Sequence, residues 1–196
     1  MSAARLLITL LWLAWALYWI VSAANSKTTR RRESPGSRLA HVVPLIVGGV
    51  LLGWHTLPWA ALNMRLWPHS PAAYWLGVAL LVAGLAFTVW ARLHLGRNWS
   101  GTVTVKEGHE LIRSGPYRYV RHPIYTGVLA AVLGTALASG TLRGLLGVVI
   151  IAVALLRKLR IEERFMRETF PGEYQRYSAQ TPALIPFTRF PRSAPH

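Results

Sequence analysis

The chain has 196 residues, 53% of them hydrophobic, and these fall in long runs that place it among membrane proteins. There is no cysteine, which excludes a disulfide framework, thiolate chemistry and a cysteine metal site. The net charge of +15 flanks the apolar runs rather than forming a separate soluble face, which favours positive-inside topology and lipid headgroups over nucleic acid.

Residues 6–24 form a first apolar span with Trp12, Trp15, Tyr18 and Trp19, followed by Lys27 and Arg30 to Arg32. A cleaved leader carries its charge ahead of the apolar stretch. Only Arg5 stands there, so a retained helix is predicted, its C-terminal end toward the cytoplasm. A second span covers 39 to about 62, with Pro44 and Pro58 near its ends, and Gly48, Gly49 and Gly53 allow close helix contact. A third covers 71 to about 93, with Gly77 and Gly84 nearly on one face.

Residues 92–122 are too polar to span and read as a cytoplasmic segment with little regular structure. Two apolar arms, 124–139 and 141–156, follow around Ser139-Gly140. Each is ~24 Å long as a helix, short of a ~30 Å hydrocarbon core, so a tilted or partly re-entrant hairpin is predicted. The second arm continues as a helix to about Thr169, where Pro171-Gly172 stops it. The proline-bearing tail from Pro182 is expected as extended coil on the surface. The fold predicted is all-α: one membrane domain, 1–196, of about five transmembrane helices, with N-terminal helices over 1–90 and a core over 91–196 that holds the hairpin 124–156. Loop charge sets the N-terminus outside and the C-terminus and site in the cytoplasm.

The chain also has no aspartate, so carboxylate chemistry draws on Glu33, Glu107, Glu110, Glu162, Glu163, Glu168 and Glu173. Arg121-His122-Pro123-Ile124-Tyr125 precedes the hairpin. Pro123 suits a first helical turn, where its missing N–H costs nothing. His122 then stands at the N-cap, and Tyr125 lies near the positive end of the helix dipole. Glu162-Glu163 follows the hairpin, after Arg157, Lys158 and Arg160. Neighbours on a helix point ~100° apart, so only one of the pair can face inward fully. A returning hairpin brings its two ends together, so the two clusters can share a pocket at the membrane surface. The histidines have no ligand spacing, and no metal site is expected.

His109-Glu110-Leu111-Ile112, Gly115-Pro116-Tyr117, Arg121-His122-Pro123-Ile124-Tyr125, Glu162-Glu163 and Phe170-Pro171-Gly172-Glu173-Tyr174 together resemble the isoprenylcysteine carboxyl methyltransferase family, over about residue 90 onward. The resemblance implies a prokaryotic-type integral membrane methyltransferase that uses S-adenosylmethionine without a Rossmann domain. It implies cofactor contacts at His109, Glu110, Leu111, Ile112, Tyr117, His122, Pro123, Ile124, Tyr125 and the first of the Glu pair, Glu162, with Glu163 beside it. The family's substrate-side arginine corresponds to Lys158, flanked by Arg157 and Arg160, and these three are the expected catalytic residues, as a cationic clamp on the substrate. The expected acceptor is the carboxylate of an isoprenylcysteine-like or other hydrophobic, lipid-linked molecule, and the location a prokaryotic inner (cytoplasmic) membrane. An amine, phospholipid or thiol acceptor on the same scaffold, an NADPH-dependent reductase of the sterol-reductase type, and a non-enzymatic adaptor are the competing readings.

Overall fold

The computed structural model describes residues 3–23, 29–54, 57–96, 99, 104–106 and 111–188. Six α-helices carry the fold: α1 (Ala3–Ala23), α2 (Pro35–Gly53), α3 (Pro71–Leu95), α4 (Pro123–Ser139), α5 (Leu142–Thr169) and α6 (Glu173–Gln180). By length and composition α1, α2 and α3 can each cross a membrane, and α4 is a shorter apolar helix. α5 is apolar over 144–156 and charged beyond. The protein is an integral membrane helical protein, and its exposed leucines, isoleucines and valines on α1, α2 and α3 face where lipid would lie.

The helix starts follow local chemistry. Ser34, Ser70 and Thr141 cap α2, α3 and α5, each side chain accepting a backbone N–H of the first turn. Proline opens α2, α3 and α4. Gly140, at φ 62°, ends α4 in the left-handed region and turns the hairpin.

The second span ends earlier than predicted, at Gly53 rather than near Leu62. Pro58 disfavours helical backbone at Leu57, and Asn63 takes both polar groups of Leu57 in a local loop (Nδ2 to O, 2.7 Å; Oδ1 from N, 3.2 Å). A short 3₁₀ turn, Ala60–Asn63, follows.

Glycine sets the helix pairing. A Cβ on Gly84 would lie 2.5 Å from the Gly127 carbonyl oxygen, and one on Gly77 2.5 Å from that of Gly134. α3 and α4 therefore touch backbone to backbone at two levels, seven residues apart on each helix. Gly48 and Gly147 do the same for α2 and α5, where the corresponding approach is 3.0 Å. This is the small-residue packing that membrane helices use in place of a hydrophobic drive. Replacing Gly84 with Val should cost about 3 kcal/mol, because the atoms it meets are backbone and cannot rotate away. Thermal unfolding in detergent checks this; an unchanged midpoint would mean that the two helices do not depend on this contact.

α4 and α5 enclose a core of Tyr125, Val132, Ile151, Leu155 and Leu159. α1 is attached differently, by side-chain hydrogen bonds: Trp12 Nε1 to Thr135 Oγ1 (3.1 Å), Trp15 Nε1 to Thr88 Oγ1 (2.7 Å) and Tyr74 Oη to the Ala4 carbonyl (2.8 Å).

The polar segment between α3 and α4 has more regular structure than predicted. Residues Thr104–Lys106 (β2) pair antiparallel with Thr29–Arg32 (β1), tying the stretch after α1 to the stretch after α3. Gly115–Arg118 forms a 3₁₀ turn. The expected surface coil after Pro182 also differs. The backbone N–H groups of Arg121 and His122 donate to the carbonyls of Pro182 (2.9 Å) and Ala183 (3.0 Å), and Thr126 Oγ1 donates to that of Leu184 (2.6 Å). The residues ahead of a helix and its first turn leave N–H groups without helical partners, and the carbonyls of Pro182 and Ala183 satisfy two of them.

Candidate active site

The two ends of the hairpin meet. His122 is the N-cap of α4, and Tyr125 lies one turn on, their rings parallel within 6° with centroids 5.4 Å apart. Opposite them, past the apolar half of α5, stands the carboxylate pair. Tyr125 Oη donates to Glu162 Oε1 at 2.5 Å. His122 Nδ1 is 3.6 Å from Glu162 Oε2, and its Nε2 is 3.4 Å from Glu163 Oε1.

The two glutamates have different surroundings, as the ~100° step of a helix requires. Glu163 is buried and turned toward basic groups: Arg121 donates from Nε (2.9 Å) and Nη2 (2.5 Å), and Arg167 Nη2 donates from one turn along α5 (2.9 Å). Arg121 is itself anchored, its Nη1 donating to the carbonyls of Ser178 (3.0 Å) and Thr181. Glu162 instead lines a cavity of about 1260 Å³. Tyr117, His122, Pro123, Ile124 and Tyr125 line the same end, with Leu111, Ile112 and Lys158. Lys158 Nζ is 3.9 Å from Glu162 Oε1 and 5.5 Å from the centre of the Tyr125 ring.

Electrostatics follow from this packing. Burial alone would push the Glu163 carboxyl up, but the His122 and Arg121 hydrogen bonds outweigh it and hold the group near 2. Glu162 is held low in the same way, burial opposing and His122 and Lys158 prevailing. For His122, burial favours the neutral ring, and the hydrogen bonds to both glutamates reverse that and raise its pKa. The buried Tyr117 phenol is raised, by desolvation first and by Glu162 second. At neutral pH the cluster thus holds two carboxylates against Arg121, Lys158, Arg167 and a His122 biased toward its charged form.

Among the sequence-predicted residues, the cavity gathers Leu111, Ile112, Tyr117, His122, Pro123, Ile124, Tyr125, Lys158 and Glu162. Glu163 serves as their support rather than as lining. His109 and Glu110 lie outside the described residues. Arg157 and Arg160 are not brought in. Arg157 Nη1 donates to the Ser37 carbonyl of α2 (2.9 Å), and Arg160 is exposed. Residues one and two positions from Lys158 point elsewhere on the helix, so Lys158 is the one of these three bases that reaches the cavity. Sequence reasoning placed Arg121, Tyr174 and Tyr177 in the two clusters flanking the hairpin without giving any of them an individual role, and all three line this end. Tyr177 Oη holds the Tyr117 carbonyl at 2.6 Å. The available signal was the three-residue spacing of two tyrosines on a short helix directly after Pro171-Gly172.

The profile of the phospholipid methyltransferase family matches residues 72–173. The cobalt-zinc-cadmium resistance protein CzcN of Cupriavidus metallidurans is 31% identical over 137 residues, 68% of this chain and 62% of that protein. Protein-S-isoprenylcysteine O-methyltransferase B of Arabidopsis thaliana is 24% identical over 114 residues, 57% of this chain and 58% of that one. The chain thus spans somewhat under two thirds of these relatives. A solved structure of the eukaryotic intramembrane Ras methyltransferase ICMT superposes with a TM-score of 0.50 at 22% identity, covering 81% of this chain and 55% of that one, a likeness of fold. Fold and cavity define an integral membrane helical protein with a charged, aromatic site at one end of its bundle. The chain belongs to the phospholipid methyltransferase family.

Proposed function

We propose that the protein is an S-adenosylmethionine-dependent methyltransferase acting on the carboxylate of an isoprenylcysteine-like or other hydrophobic acceptor at the membrane. The observation that carries this reading is the meeting of His122 and Tyr125 with Glu162 across a cavity that continues into the apolar interior.

The residues fit the cofactor's chemistry. Tyr117 and Tyr125 offer aromatic faces and Glu162 a carboxylate, both of which suit a cation, while Leu111 and Ile112 offer apolar surface. These residues, with His122, would hold it; when bound, S-adenosylmethionine supplies a methyl group on a positively charged sulfur. A cavity of about 1260 Å³ exceeds the ~300–1,000 Å³ typical of one small ligand. It has room for a second, elongated molecule beside the first.

An acceptor carboxylate is deprotonated at neutral pH and needs no general base. The task left to the protein is to bring two bound molecules together and exclude water, which can supply ~7–11 kcal/mol of the barrier. Lys158 is placed to pair with the acceptor carboxylate from the cavity wall. His122 and Tyr125 fix the Glu162 carboxylate, and Arg121 fixes Glu163 behind them. Basic loops favour a prokaryotic inner membrane with this site cytoplasmic.

The reductase reading needs free cations for an extra phosphate at this end of the cavity. Arg121 is spent on Glu163 and two carbonyls, and Arg167 also pairs with Glu163. Calorimetric titration of the detergent-purified protein with S-adenosylhomocysteine and with NADPH tests the choice. Saturable binding of the first is expected; binding of NADPH alone would end the methyltransferase reading.

A further inference from the structure

The same cavity has a second polar end, and its charge is opposite. Arg143, in the first turn of α5, lines the cavity and is 7% exposed. One arm of its guanidinium donates to the carbonyls of Leu51 (3.0 Å) and Leu52 (3.4 Å). Its buried Nε has no partner. Arg5 and Arg65 line the cavity at this end too, and both are exposed. Arg65 is brought there by the hairpin tip: the Leu66 N–H donates to the Gly140 carbonyl (2.8 Å), and that of Leu142 to the Met64 carbonyl (3.0 Å).

A buried guanidinium calls for an anion, since an uncompensated charge in a low-dielectric interior is costly. The segments that build this end, 3–5, 64–69 and 139–143, contain no acidic residue, and none occurs anywhere between Glu33 and Glu107 or between Glu110 and Glu162. Glu162 and Glu163 stand toward the opposite end of α5: from Arg143 to Lys158 is fifteen residues, or ~22 Å of helix.

We propose that Arg143, with Arg5 and Arg65, forms an anion site for a phosphoester group at the end of the cavity opposite Glu162. The chemistry is that of a phospholipid headgroup whose chains run into the apolar middle past Leu52, Val132 and Ile151, or of a soluble phosphate. Guanidinium forks suit phosphate oxygens.

The test uses the full chain in neutral detergent. Its thermal midpoint is followed against dioleoylphosphatidylglycerol, against dioleoylglycerol, which has the same chains and no phosphate, and against inorganic phosphate. A saturable rise with the phosphatidylglycerol and none with dioleoylglycerol is expected; a rise with inorganic phosphate instead assigns the site to a soluble anion. Arg143→Met should raise the half-saturating concentration about tenfold or more, and Arg143→Lys should recover part of that. Because Arg143 also braces α2, the exposed pair Arg5→Gln/Arg65→Gln serves as a second variant, expected to weaken binding while leaving the midpoint of the ligand-free protein in place. Equal response to dioleoylglycerol, no response to any of the three, or variants that respond like the parent would overturn the proposal.

Discussion

Glu162→Gln should lower affinity for S-adenosylhomocysteine by about 10–100-fold, the worth of one or two charge-assisted hydrogen bonds, and should abolish most methyl transfer. The amide keeps the shape but loses the charge that Tyr125, His122 and Lys158 share. Glu163→Gln, one residue away, should behave differently. Its side chain faces Arg121 and Arg167, so the loss should appear as a lower unfolding midpoint with affinity nearly kept. Titration calorimetry and thermal unfolding on both variants separate the two roles. If both glutamines weaken binding alike, or if Glu163→Gln weakens it more, the division between a presented and a supporting carboxylate is wrong.

Arg121→Ala should be among the most destabilising single changes at this end of the protein. It removes two bonds to Glu163 and two to the carbonyls of Ser178 and Thr181. Both side chains of the ion pair are about nine-tenths buried. Removing one partner of a buried pair costs ~3–5 kcal/mol, because the other charge stays behind; that corresponds to a fall of roughly 10 °C in midpoint for a chain of this size. The double variant Arg121→Ala/Glu163→Leu should recover part of the loss. An Arg121→Ala protein as stable as the parent would show that the α4–α5–α6 junction is held by something else.

Much of the scaffold was legible in the sequence. Apolar run length placed the helices, Pro123 marked the start of α4, and Ser139-Gly140 marked the turn into α5, because each rests on local chemistry. What failed was what depends on distant partners. The second span was drawn too long because the side-chain bonds of Asn63 back to Leu57 leave no periodic trace. Arg157 and Arg160 were grouped with Lys158 because linear proximity does not state which way a helix is rotated. Which of Glu162 and Glu163 faces the cavity turned on the same rotation, with Glu163 held by Arg121 forty-two positions away. The use of residues 182–184 could not be read from the sequence Pro182-Ala183-Leu184, which has neither periodicity nor charge.

That last contact has a consequence for the order of assembly. The carbonyls of Pro182, Ala183 and Leu184 fasten the start of α4, yet they follow all six helices in the chain. During synthesis the hairpin can be inserted and its glycine contacts made while His122 still lacks its final restraint. The backbone at His122 is fastened only once Pro182 and Ala183 have been made, so the glycine-packed scaffold precedes this last tie.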